Sequence, residues 1–289
     1  MNSAIELTNV TKLYSNKKGI KDVTLSVPSG EIFGFLGPNG AGKTTAIRTI
    51  MDFIRPDSGK VTLFGLDAQK DSVRLKQLIG YLPADRQLYD KWTGKDHLSF
   101  YESLRGKKST VNAAKRLGLD LGQKVSQLST GNKQKLALTL ALSGAPKILI
   151  MDEPTSGLDP LLQQEIYELL RAYKKHGGTV FLSSHNLPEV EKICDRVGVI
   201  KDGSIVANES MQSIRDMSIH IITVTTDKPI QLPKTVFSNV EVIHHATTHA
   251  ILKVKGDLNP IIEHIAKQKV RDLEVTHASL EDIFMEYYR

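Results

Sequence analysis

Residues 37–45 read GPNGAGKTT, directly after EIFGFL at residues 31–36. The loop fits G-x-x-x-x-G-K-[ST], a pattern with a physical purpose. Gly37, Gly40 and Gly42, with Pro38, Asn39 and Ala41 between them, leave the backbone bare enough for N–H groups to wrap phosphate oxygens. Lys43 neutralises those oxygens, and the hydroxyl of Thr44, followed by Thr45, suits Mg²⁺. The run before the loop is strand-like. After it, Ala46, Ile47, Ile50, Met51 and Ile54 repeat at helical spacing until Arg55-Pro56-Asp57-Ser58-Gly59 breaks the pattern. The glycines therefore join a strand to a helix, whose positive end adds to the pull on an anion.

Working outward, residues 4–10 and 22–27 are further strand-like runs, punctuated by Gly19, Pro28 and Gly30. Residues 90–145 read as mostly helical. Lys147-Ile148-Leu149-Ile150-Met151 is a continuous apolar run of the kind found in a sheet covered on both faces, and Thr179–Ser183 is another. The stretch 160–175 between them is helical, so strand and helix alternate as in a parallel α/β sheet. The apolar run ends at Asp152-Glu153. Two carboxylates fixed beside a buried strand are costly without a cation, which predicts that Asp152 holds the Mg²⁺ and that Glu153 orients an attacking water.

The composition changes near residue 210. Beyond it, HIITVTTD, VEVIHH and AILKVKG are strand-like, LNPIIEHIAKQK is helical and SLEDIFMEYYR reads as a capped terminal helix. The expected division is a nucleotide-binding domain at 1–212, with a helical subdomain at about 86–145, and a small α+β domain at 218–289. No internal repeat appears, so each chain has one glycine loop.

Composition narrows the classes. With 289 residues, 40% of them hydrophobic, the chain can bury a sizeable core. It has no run of about 18 apolar residues, and Met1–Glu6 lacks the basic end and apolar run of a signal peptide, so a cytosolic protein that does not itself cross a bilayer is expected. The single cysteine, Cys194, excludes an intrachain disulfide and a cysteine-based metal site. The net charge is +6, and from residue 211 onward nine Lys and Arg face ten Asp and Glu, so the basic excess lies in the front part. No Lys/Arg block with interleaved aromatics accompanies it, and no nucleic-acid partner is expected. The tail histidines, among them His244, His245 and His249, lack paired carboxylates and do not read as a metal site.

Taken together, these residues resemble the nucleotide-binding subunit of an ATP-binding-cassette (ABC) transporter over residues 4 to about 210. The glycine loop matches Walker A and ILIMDE matches Walker B. Leu128-Ser129-Thr130-Gly131-Asn132 stands where the family has LSGGQ, Ser156-Gly157-Leu158-Asp159 is similar to the D-loop, and His185 in LSSHNLPEVE matches the switch histidine. Tyr14 matches the aromatic that stacks on adenine. The resemblance implies an α/β fold of the P-loop NTPase, ABC type, with a mixed sheet core and a helical subdomain. It also implies ATP and Mg²⁺ as ligands, with catalysis by Lys43, Glu153 and His185. Two chains would complete each other's pockets, Ser129 and Gly131 of one covering the phosphate of the other, as a homodimer or as a heterodimer with a related subunit. An integral-membrane transporter subunit is implied as partner, holding the chain to the inner face of the membrane.

Three departures from the family pattern stand out: Thr130, Asn132, and Ala84 in YLPADRQLY, where the family has a glutamine. Exporter relatives often carry Glu-Glu-Arg there, so Asp85-Arg86 is the expected relay to the membrane partner. The aromatic stretch 88–106, with Tyr89, Trp92, Phe100 and Tyr101, falls where the family docks that partner. The tail resembles those of ABC-2-type exporter ATPases, which move drugs, peptides or polysaccharides outward. The competing expectation is a soluble ABC-type ATPase acting on a non-transport partner. A GTPase switch is disfavoured because Lys135 in GNKQK stands where a base-reading aspartate belongs.

Overall fold

The computed structural model describes residues 3–15, 18–106, 113–216, 219–232 and 239–277. The chain divides into two compact units, Met1–Glu209 and Ser210–Arg289.

The first unit begins with strands β1 (Ser3–Leu13), β2 (Gly19–Pro28) and β3 (Ile32–Leu36), then helix α1 (Lys43–Ile50), β4 (Ser58–Leu63), β5 (Leu66–Asp67), α2 (Ser72–Lys76) and β6 (Ile79–Leu82). The helices α3 (Gly94–Arg105), α4 (Ala113–Arg116) and α5 (Thr130–Leu142) follow. Next come β7 (Ile148–Asp152), α6 (Pro160–Lys175), β8 (Thr179–Ser184), α7 (Leu187–Ile193), β9 (Arg196–Lys201) and β10 (Ser204–Ser210). β1, β2, β4 and β5 form an antiparallel sheet in the order β2-β1-β4-β5, and the other six a sheet in the order β10-β9-β3-β8-β7-β6, parallel from β9 to β6.

Burial explains why these residues take strand form. Every residue of β3, β7 and β8 is buried, as a strand covered on both faces requires. Alternate side chains Phe33, Phe35, Ile148, Ile150 and Phe181 share a core with Ile47 and Ile50 of α1 and with the antiparallel sheet. The Phe33 and Phe181 rings stack with centroids 5.7 Å apart. Burying each such ring contributes about 1.5–3 kcal/mol, so this layer fixes the strands that carry the site. At Gly80 of β6 an added Cβ would lie 2.1 Å from the Ala141 carbonyl oxygen of α5, so only glycine lets that helix cross so closely. A separate cluster of Ala114, Leu119, Val125, Leu128, Leu136 and Leu140 forms the core of the helical region.

The second unit contains α8 (Met211–Asp216), β11 (Ile219–Thr226), β12 (Val240–His245), β13 (His249–Lys255), α9 (Asn259–Ala266) and β14 (Val270–His277). Its sheet runs in the order β12-β13-β11-β14, antiparallel throughout, over a core of Ile222, Val224, Leu252, Val254, Ile261 and Ile265. The fold class is therefore the expected one: an α/β P-loop cassette with a helical region, followed in the sequence by an antiparallel α+β unit. One local expectation needs amendment. The helix after the glycine loop stops at Ile50 rather than reaching Ile54, because the chain turns left-handed at Asp52 (φ 52°). The expected terminal helix, SLEDIFMEYYR, lies outside the described residues.

Candidate active site

Strand register brings the site together. In the central sheet Leu36 of β3 pairs with Ser184 of β8, and Ser183 of β8 pairs with Asp152 of β7. The next residues, Gly37, His185 and Glu153, thus emerge side by side from the carboxyl ends of three adjacent parallel strands, where α/β sheets place their ligands. Gly37 N–H donates to the Ser184 carbonyl at 3.2 Å, which ties the start of the loop to β8.

The loop is shaped by its glycines. Gly40 and Gly42 have φ of 85° and 110°, a region other residues avoid. At Gly42 a Cβ would also lie 2.7 Å from the Gly19 carbonyl oxygen. Lys43, which opens α1, is 6% exposed, and its Nζ donates to the carbonyls of Gly37 at 2.7 Å and Pro38 at 3.3 Å. The same ammonium lies 3.2 Å from Glu153 Oε1.

Around it the polar groups form one chain of bonds. Thr44 Oγ1 donates to Asp152 Oδ2 at 2.9 Å, and Ser183 Oγ donates to Asp152 Oδ1 at 2.5 Å. Glu153 N–H donates to Ser183 Oγ at 3.1 Å, and its carboxylate Oε2 lies 2.8 Å from His185 Nδ1. Glu153 has a φ of 50°, a left-handed backbone that costs a non-glycine residue about 1–2 kcal/mol. Burial, then the charge of Asp152, raises the Tyr81 phenol above its ordinary value.

A cavity of about 290 Å³ opens over these groups. Tyr14, Pro38, Asn39, Gly40, Gly42, Lys43, Thr44, Thr45, Asp152 and Glu153 line it. Gly37 and Ala41 lie behind its wall, Ala41 being 4% exposed with its carbonyl accepting from Gly203 N–H. Ala84 also lines the cavity, with Lys18 and Gly19, which sequence reasoning missed. Their only advance signal was a basic residue beside a glycine at the end of the turn that follows Tyr14.

Ser129, Gly131, Asp159 and His185 do not line this cavity either. Ser129 caps α5, accepting from Asn132 N–H at 3.2 Å, and Asp159 caps α6, accepting from Leu162 N–H at 3.0 Å. Gly131 sits in the first turn of α5, where a Cβ would lie 3.0 Å from Leu162 Cδ2. His185 is held at the edge through Glu153, its side chain 48% exposed.

Comparison with known proteins fits this geometry. Residues 20–156 match the ABC transporter family model. The chain is 36% identical over 211 residues to the linearmycin resistance ATP-binding protein LnrL of Bacillus subtilis, covering 70% of this chain and 68% of that protein. It is 35% identical over 244 residues to ABC transporter A family member 8 of Arabidopsis thaliana, covering 78% of this chain but 27% of the plant protein. The chain thus spans about a third or less of the length of such plant relatives. A solved ATP-binding subunit of an ABC transporter superposes with a TM-score of 0.68 at 27% identity, over 74% of this chain and 92% of that one. Two-thirds coverage of a bacterial relative at this identity, together with the phosphate loop and the carboxylates set against it, makes this chain a member of the ABC transporter family, an ATP-binding cassette.

Proposed function

We propose that the chain binds and hydrolyses ATP to power an exporter, working as a pair of subunits on an integral-membrane partner. The observation that carries this reading is the bonded chain Thr44–Asp152–Ser183–Glu153–His185 beside Lys43, laid along one edge of the glycine loop. Residues 1–212 act as the cassette and 218–289 as an accessory module.

Each group has a task. Tyr14, on the cavity wall, offers its ring face to adenine. The N–H groups of residues 37–45 and the start of α1 cradle the phosphates. Lys43 exchanges Glu153 for phosphate oxygens. The pairing of one hydroxyl, Thr44 Oγ1, with one carboxylate oxygen, Asp152 Oδ2, fits Mg²⁺, which is held by one or two protein oxygens plus substrate phosphates. When bound, the ion neutralises charge on the phosphate oxygens. Glu153, released from Lys43, accepts a proton of the attacking water. The water oxygen forms a bond to the γ-phosphorus as the bond from that phosphorus to the β–γ bridging oxygen breaks, and ADP and phosphate leave. His185 donates to the second Glu153 oxygen and keeps the carboxylate aimed.

One chain leaves the γ-phosphate open on one side, and Ser129 is exposed at the start of α5 rather than turned into its own cavity. That supports a two-fold pair in which Ser129, Gly131 and the positive end of the 13-residue helix α5 cover the partner's phosphate, with Asp159 nearby. Among the described residues no helix is long and apolar enough to cross a membrane. In this reading an integral-membrane partner supplies the channel and the cassette sits on its inner face. Tyr89, Phe100, Tyr101 and Leu104 are exposed large apolar side chains suited to that contact, with Asp85-Arg86 as relay. The ABC-2-like tail favours export, which would also give the kind of resistance for which LnrL is named. The test is ATP turnover by the purified chain against Glu153→Gln: loss of turnover with ATP still bound is expected, and an unchanged rate in the variant would end this reading.

A further inference from the structure

The three residues that follow β7 are each tied to a different element. Glu153 N–H bonds to Ser183 of β8, the Pro154 carbonyl accepts from the side-chain amide of the buried Gln134 on α5, and Thr155 Oγ1 donates to Glu189 Oε1 on α7 at 2.5 Å. The other oxygen of Glu189, Oε2, accepts from Ser184 Oγ at 2.5 Å. Ser184 Oγ in turn accepts from Asn186 N–H at 2.9 Å, fixing the turn that carries His185. A single carboxyl thus spans the residue two places beyond Glu153 and the residue immediately before His185.

We propose that Glu189 is a positioning residue for ATP hydrolysis, keeping Glu153 and His185 in bonding register by gripping the Thr155 and Ser184 hydroxyls at once. The inference rests on the reading that Glu153 serves in ATP cleavage. It is supported by cost: Glu189 is 3% exposed, and burying an acid group without need is expensive. Burial pushes its carboxyl above the ordinary value, the two hydroxyl bonds pull it back, and the charges of Glu153 and His185 act on it in opposite senses. The need is clear from what is held. The bond between Glu153 and His185 involves a half-exposed ring, and the Glu153 backbone is in a strained region that persists only where its surroundings over-determine it.

The experiment measures steady-state ATP turnover, ATP affinity and melting temperature of the full chain. For Glu189→Ala, kcat should fall about 10- to 100-fold while KM and ATP affinity move less than about twofold. Thr155→Val and Ser184→Ala each remove one grip and should lower kcat in the same way. Combining Thr155→Val with Glu189→Ala should add little, because both break one link. Glu189→Gln keeps the span and can bond both hydroxyls, so it should recover most of the rate. If Glu189→Ala does not fold, the two hydroxyl variants decide. Folded variants that lose melting temperature but keep kcat within about twofold of wild type, or effects that simply add, overturn the proposal. A wild-type chain that turns over no ATP overturns instead the functional reading beneath it.

Discussion

Thr44 Oγ1 and Asp152 Oδ2 lie 2.9 Å apart although 108 residues separate them in the chain. The bond joins the first turn of the helix after the glycine loop to the end of a buried strand. A hydroxyl and a carboxylate so placed share one spot, and a cation entering it would meet both oxygens. Asp152→Asn should therefore raise the Mg²⁺ concentration for half-maximal ATP turnover by roughly tenfold or more, about 1.4 kcal/mol. A Mg²⁺ titration of activity reads this directly, and an unshifted curve would remove Asp152 from the metal's shell.

His185→Ala removes the only side chain seen bonding Glu153 Oε2 among the described residues. The carboxylate then loses its aim but not its charge. Turnover should fall about 10²-fold, with ATP binding by a fluorescent analogue kept within about threefold. Equal losses of binding and turnover would show that the histidine holds nucleotide rather than the glutamate.

The proposed pairing of two chains admits a complementation test. Lys43→Ala spoils the phosphate grip within a chain, whereas Gly131→Glu spoils the surface offered to the partner. Each variant alone should be inactive. Mixed one to one, about half the pairs carry both, and in these one pocket of two is intact, so about a quarter of wild-type turnover should return. Recovery of nothing in a mixture shown by cross-linking to contain mixed pairs would argue that each chain completes its own site.

Acid should loosen the end of β1. Asp57 accepts from Leu13 N–H at 2.8 Å and from Lys12 Nζ at 2.7 Å, and these bonds, the backbone one first, hold its carboxyl below the ordinary value. The folded state thus binds the proton less tightly than the unfolded chain. The stabilisation is complete above the unfolded value of about 4 and is lost as pH falls through the lower folded value. Asp57→Asn should lower the melting temperature at pH 7 and reduce its decline between about pH 5 and pH 3. Parallel curves for variant and wild type would show that the bonds contribute nothing.

Much of this arrangement was legible in residues 31–45 and 147–185. β3, β7 and β8 are buried along their whole length, so their apolar runs announce both strand and sheet type. Glycines at left-handed positions are likewise dictated by the local chain. Lys18 and Gly19 were not legible, because what brings them to the cavity is the close packing of Gly19 against Gly42, a contact between distant positions. Glu189 was hidden for a related reason. In sequence it is one acidic residue of a short helix, no different from Glu191 two places on, yet Glu191 is exposed and Glu189 is buried against two hydroxyls. Hydrophobic periodicity reveals which face of a segment turns inward, but not which polar groups will meet there.

The level pairing of Leu36 with Ser184 and of Ser183 with Asp152 makes the site a matter of chain length as well as residue type. Successive side chains of a strand point to opposite sides, so one residue inserted in β8 upstream of Ser183 would carry His185 past Glu153 and turn Ser183 away from Asp152. An insertion or deletion within β3, β7 or β8 is accordingly more damaging than most single exchanges there. The loops entering these strands from the opposite edge are free of that constraint, and are where the cassette can absorb added or lost residues.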